Sequence, residues 1–274
     1  MALATRHGKE RALERPFRRG LGLPLQVAAI DTDALGTFDG ERPRPAPARD
    51  TCRLKAEQGM AATGLARGLA SEGSFGPHPH LPLLPVGQEW LVFLDRDLDL
   101  VVEAHMLAPR TNFSHLRLAA GEDPAPWLRR IGHPTHGVLV RPSAPLDGPT
   151  IWRDLDHPED LRQAIQRAAA ASADGLALLE TDMRAHRNPT RMASIRRLAF
   201  RLVRRLAQRC PDCGRPGFGP VDVLAGLPCA WCGTPTDLVL WEVLGCSSCA
   251  YRQRRPRPDG LKQADPGHCP LCNP

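Results

Sequence analysis

Eight of the nine cysteines fall within the last 65 residues, as four Cys-x-x-Cys pairs: Cys210/Cys213, Cys229/Cys232, Cys246/Cys249 and Cys269/Cys272. Two thiolates at that spacing reach one metal at about 2.3 Å, and two such turns complete a tetrahedron. The pattern therefore predicts two structural Zn²⁺ ions with no open coordination position. Gly214, Gly233 and Asn273 follow second cysteines, where a left-handed residue closes a metal knuckle. Cys229/Cys232 and Cys246/Cys249 flank an alternating strand, Asp237 to Leu244. That arrangement favours a zinc-ribbon hairpin, with the first pair joined to the last; consecutive pairing is the alternative. His268 could substitute as a ligand but reads better as a bystander. Cys52, alone in a helix, reads as a small buried hydrophobe.

The acids and bases of the N-terminal half suggest a second chemistry. Thr5, His7 and Lys9 follow a short first strand, where a loop and helix start can hold phosphate. Asp50 and Lys55 share one helix, and Glu72 lies in Ala70-Ser-Glu-Gly-Ser-Phe-Gly-Pro-His-Pro79, read as a glycine-rich active-site loop. Lys9 and Lys55 could hold phosphates. Asp50 and Glu72 could hold Mg²⁺ or Mn²⁺, with Glu72 also orienting water. Ser74 and His78 of the same loop, and Asp182 and Arg184 at a strand end, form a second tier around such a cleft. His78 and His80 could bind a metal with Glu72, or form an exposed polar turn; Asp182 and Arg184 could equally make a structural ion pair.

These residues need a scaffold, and the chain reads as α/β. Strands are expected at Leu3–Thr5, Leu25–Ile30, Gly137–Val140 and Gly175–Leu179. Helices are expected at Gly8–Leu21, Ala48–Thr63, Pro124–Ile131, Pro158–Ser172 and Pro189–Gln208, with a β-hairpin over Gln88–Phe93 and Leu98–Ala104. Asp31 to Pro47, with Gly36 and Gly40, reads as loop. The expected architecture is a mixed central sheet flanked by helices over residues 1–208, then a zinc-binding, Cys-rich unit over 209–274.

Composition narrows the partners. Apolar content of 42% and charged content of 24% fit a globular protein, and 5% aromatics leave few platforms for stacking nucleic-acid bases. The net charge of +6 is local, since Arg184 to Arg209 holds nine arginines and no acid, leaving −3 elsewhere. No apolar run approaches the roughly 20 residues of a membrane helix. The charged N-terminus lacks a signal-peptide core, so a cytoplasmic protein is expected.

Two resemblances add to this reading. Over about 2–208 the chain resembles the inosine/xanthosine triphosphate pyrophosphatases, which carry Thr/Ser-x-Asn-x-x-Lys, then Glu-Asn-Ala-x-x-Lys-Ala, an Asp-Asp-Ser-Gly loop and a late Ser-His-Arg. Thr5…Lys9, Asp50…Lys55-Ala56 and Ala70–Ser74 resemble the first three, with His7 for Asn and Ser71 for the first acid. Ala185-His-Arg187 or Thr190-Arg191 could stand for the last, which adds Arg187 and Arg191 as phosphate contacts. The resemblance implies an inosine triphosphatase-like fold and a metal-dependent hydrolase acting on a nucleotide or related phosphate compound. The whole chain also resembles a bacterial family without an assigned function, through Leu35–Phe38, Ser71–Pro79, Thr111–Ser114, Glu180–Ala185 and Asn188–Met192. A non-enzymatic alternative is a module that binds a ligand or nucleic acid through the zinc tail and Arg196, Arg197, Arg204 and Arg205.

Overall fold

The computed structural model describes residues 1–37, 42–78, 81, 83–108, 110–148 and 150–274. It divides into two compact units, Met1–Leu202 and Val203–Pro274.

The first unit holds a mixed five-stranded sheet of order β2-β1-β3-β4-β5, made of β1 (Ala2–Ala4), β2 (Gln26–Val27), β3 (Arg67–Pro77), β4 (Pro85–Asp95) and β5 (Leu100–Ala108). β1 pairs in parallel with β2 and β3; β3, β4 and β5 are antiparallel. Helix α1 (Glu10–Leu21) ends on Gly22 at φ 67°, and α2 (Ala48–Thr63) ends on Gly64 at φ 69°. Both caps adopt the left-handed turn that only glycine takes without strain. Cys52, Ala56 and Met60 of α2 meet Ala2, Ala4, Ala70, Val92 and Leu94 of the sheet in one buried cluster. The alternating residues Leu3, Leu69 and Leu91 are also fully buried, so both sheet faces are covered.

The largest departure from the sequence reading is the segment Ala70–Pro79. Residues 70–77 are not a loop but most of β3, in the middle of the sheet. The small residues that resemble a turn serve close packing instead. A Cβ at Gly73 would sit 2.6 Å from Arg191 Nη2 and 2.7 Å from Glu89 Oε1. Phe38, Gly40, Pro79 and His80, named in the sequence reading, lie outside the described residues.

A second sheet, antiparallel in the order β6-β8-β7, comprises β6 (His115–Ala119), β7 (Val138–Pro142) and β8 (Leu176–Thr181). The strands thus divide between two sheets where the sequence reading expected one. Helices α3 (Ala125–Ile131) and α4 (Pro158–Ala170) cover one face of this sheet, burying Trp127, Ile131, Leu161 and Ile165 with Val138, Val140 and Leu179.

Helix α5 (Pro189–Ala207) follows the expected stripe: Ile195, Leu198 and Leu202 are fully buried, while Arg196, Arg197, Arg201 and Arg204 are exposed. At its start Arg191 is buried against Glu89 of β4, with Nε 2.6 Å from Oε1. The Arg191 Nη1 also donates to the Met183 carbonyl, and its guanidinium lies 5.3 Å from the Phe75 ring centroid. Removing one partner of such a pair leaves a buried charge alone, at a cost of about 3–5 kcal/mol. Arg191→Met should therefore lower stability by about that amount, and adding Glu89→Met should recover most of it. Urea midpoints of the single and double variants measure both.

Candidate functional site

β3 runs eleven residues, whereas its parallel neighbour β1 stops at Ala4, opposite Ala70. Past that point β3 has an open edge, and cations occupy it. Lys9 Nζ donates to the Ser71 carbonyl at 2.7 Å, and Arg44 Nη2 donates to the Gly73 carbonyl. Arg44 Nε also lies 3.1 Å from Glu72 Oε1, while Lys55 Nζ of α2 lies 2.7 Å from Glu72 Oε2. A small, solvent-connected pocket opens here, with room inside it for about one water molecule. Thr5, His7, Lys9, Asp33, Lys55, Ser71 and Glu72 are among the residues lining it.

Its electrostatics are unusual for a protein interior. Burial pushes the Glu72 carboxyl up, but Lys9, Lys55 and Arg44 outweigh it and hold the group below the ordinary carboxylate range. Lys9 is itself buried, and among the described residues no carboxylate lies within ion-pair distance of its ammonium. Burial, then the charges of Arg191 and Lys55, pull its pKa down to about 8. The Ser71 hydroxyl, on a residue only 2% exposed, has no hydrogen-bond partner. The pocket lining therefore carries more positive than negative charge, with Arg6, Lys9 and Lys55 against Asp33 and Glu72, a balance that favours an anion.

At the cavity mouth the 3₁₀ turn Thr32–Leu35 carries Asp33. Asp33 Oδ1 lies 3.2 Å from His7 Nε2, and Asp33 Oδ2 lies 3.2 Å from Arg6 Nη1. The His186 ring stacks on His7 with centroids 5.1 Å apart. Burial is the first cause that lowers the His7 pKa, to about 4, so the ring is neutral near pH 7.

The structure thus brings together Thr5, His7, Lys9, Lys55 and Glu72. It does not bring in Asp50, which is exposed, while the α2 face turned to the sheet carries Thr51, Cys52, Lys55 and Ala56. Nor does Glu72 fit a divalent cation: both its oxygens are already held by cations, and Lys9 adds a third positive charge nearby. Arg191 is committed to Glu89, and Arg187 pairs with Asp156. Asp182 and Arg184 pair with each other at 2.6 Å, away from the cavity. His78 is half-buried near the β3–β4 turn. Ser74 lines a separate groove of about 1250 Å³ with Arg44, Phe75, Phe113, Arg141 and Glu180. Phe75 and Phe113 stack there, 6.1 Å between centroids. Arg44 and Asp33 were not identified as site residues from the sequence; the Asp31-x-Asp33 repeat after a strand was the available signal for the second, and Arg44 had none.

In the second unit, β9 (Gly219–Ala225), β10 (Val239–Gly245) and β11 (Arg252–Pro256) form an antiparallel sheet with β10 in the centre. Gly245 pairs with both Gly219 and Arg252, so Cys246/Cys249, at the end of β10, lies beside the Cys210/Cys213 turn before β9. Val239 pairs with Ala225 at the other end, where Cys229/Cys232 follows. A parallel bridge from Cys229 to Ala264 brings the last pair there. The two ligand sets are therefore Cys210, Cys213, Cys246, Cys249 and Cys229, Cys232, Cys269, Cys272. This interleaved pairing corrects both the nested and the consecutive expectations, because successive knuckles alternate between the ends of the sheet.

The Sγ separations fit zinc. A tetrahedron with 2.3 Å Zn–S bonds has edges of about 3.8 Å; Cys210–Cys249 measures 3.7 Å, Cys213–Cys246 3.6 Å, Cys229–Cys272 3.9 Å and Cys232–Cys269 3.5 Å. Gly214 and Gly233 take φ 70° and 73°, closing the first two knuckles. His268 is exposed and outside both sets. The core of this unit is small, centred on Phe218 and Leu244 beside Cys210 and Cys246, so metal bound at the two cysteine sets would add much to its stability.

The chain thus combines a mixed α/β unit carrying a cationic cavity with a unit closed by two four-cysteine zinc sites. It belongs to the family described as Domain of unknown function (DUF6671), whose model matches residues 55–274. No curated protein and no solved structure matches it. Among the described residues, no helix is long and apolar enough to cross a membrane.

Zinc content tests the interleaving. The wild-type chain should hold two zinc ions, and Cys210→Ser/Cys246→Ser should keep one, whereas Cys210→Ser/Cys229→Ser should keep none. Mass spectrometry of the native protein reads all three stoichiometries.

Proposed function

We propose that the first unit binds a small phosphate-bearing compound, with an anionic group in the cavity beside Lys9 and Ser71, and that the zinc ions are structural. The observation that carries this reading is the excess of cations in the pocket lining, where the buried Lys9 has no carboxylate within ion-pair distance among the described residues. A phosphate oxygen would accept from Lys9, and Lys55 and Thr5 line the same space.

This reading keeps the phosphate chemistry implied by the pyrophosphatase resemblance and leaves out its metal, since the carboxylate proposed to hold Mg²⁺ is enclosed by cations and Asp50 stands apart. A nucleic-acid reading would draw on the exposed arginines of α5 and on the exposed arginines of β11 in the zinc unit, patterns that solvated surfaces also produce. The cavity favours the small ligand.

Calorimetry with inorganic phosphate, pyrophosphate and nucleoside phosphates tests the proposal; no heat with any of them would sink it. Lys9→Met gives a sharper check: loss of its charge-assisted bond to the anion should weaken phosphate binding at least about tenfold. Unchanged affinity would place the anion elsewhere.

A further inference from the structure

His7 is the group in this cavity that the binding reading leaves unused. Its Nε2 faces Asp33, and Asp33 is fixed in turn by Arg6 and by the turn in which Asp31 Oδ1 accepts the Asp33 N–H. A neutral imidazole whose Nε2–H donates a hydrogen bond to Asp33 presents Nδ1 as an acceptor. Among the described residues Nδ1 makes no hydrogen bond. The backbone N–H of His7 donates to Thr5 Oγ1 at 3.3 Å, which anchors the loop, and the stacked His186 ring limits rotation. An oriented imidazole held by a carboxylate, with one free nitrogen beside an anion site, has the geometry of a general base.

We propose that His7, oriented by Asp33, is a catalytic base for metal-free hydrolysis of the phosphate compound bound at Lys9 and Ser71, an inference that rests on the binding reading above. In this step His7 Nδ1 takes a proton from water, and the water oxygen bonds to phosphorus. The bond from phosphorus to the leaving oxygen breaks, and its electron pair takes a proton from the Lys9 ammonium. The second water proton stays on the released phosphate. No redox change occurs, and His7 and Lys9 regain their starting states by exchange with solvent. Lys55, which lines the same pocket, holds a phosphoryl oxygen while charge redistributes.

The pH dependence has a definite form. The groups acting on His7 are Asp33 on the 3₁₀ turn, Lys9 at the start of α1, and His186 and Arg184 beyond β8, with Arg6 on Asp33. His7 must be neutral and Lys9 protonated, so kcat/KM should rise with pH through about 4 and fall through about 8. Asp33 raises the His7 pKa, so Asp33→Asn should move the rising limb to lower pH and lower kcat more than it changes KM.

The experiment uses the full, zinc-loaded chain without added Mg²⁺ or Mn²⁺, assayed on p-nitrophenyl phosphate and the nucleoside triphosphates. Wild type should release phosphate or pyrophosphate. His7→Gln should lose about 100-fold in kcat, with KM within about threefold, phosphate binding intact and no rising limb. A wild-type chain that binds inorganic phosphate but hydrolyses none of these substrates, or a His7→Gln variant with wild-type kcat, would overturn the base assignment and leave the binding reading standing. Absence of phosphate binding in wild type would overturn the binding reading and the base assignment with it.

Discussion

The site follows from a mismatch in strand length. β1 covers three residues and β3 eleven, so the middle strand of the sheet is left with an edge that no neighbour pairs. Backbone carbonyls buried without partners are costly, and a cation is a strong donor. Lys9 and Arg44 meet that demand at Ser71 and Gly73. Once these charges are inside, a carboxylate is needed to balance them, and Glu72 supplies it with Lys55 as a further partner. Three cations around one carboxylate leave an excess of positive charge at this edge, which is what the proposed anion site rests on.

Much of this was legible in the chain. The turn after the first strand, the α2 lysine and the acid at position 72 belong together because a parallel strand end, the following loop and the next helix converge in α/β folds. The helices were readable from caps: Gly22 and Gly64 mark two C-termini, and the apolar stripe of α5 is regular. The misreadings have physical reasons. Gly73 and Gly76 resemble a turn, yet at Gly73 the missing side chain makes room for the Arg191–Glu89 pair. That pair joins residues 102 apart, which no local pattern reveals. Asp50 has the right chemistry on the wrong helix face: five residues from Lys55 is about 140° of rotation. Arg44 is one arginine among several in a proline-rich stretch, and its role appears only when the open edge of β3 is known.

The cysteines show the same division. Their spacing announced two metals and their number, because ligand distance within a turn is local. Their partnership depended on which end of a three-stranded sheet each turn occupies. In an antiparallel meander, connections alternate between ends, so first joins third and second joins fourth.

That interleaving has a thermodynamic consequence. One ion closes the chain from Cys210 to Cys249 and the other from Cys229 to Cys272, and residues 229–249 belong to both loops. Whichever ion binds first shortens the free chain that the other must still close, and so lowers the entropy cost of the second closure. The overlap therefore favours loading of the second site once the first is filled, by the modest amount that a shorter loop saves.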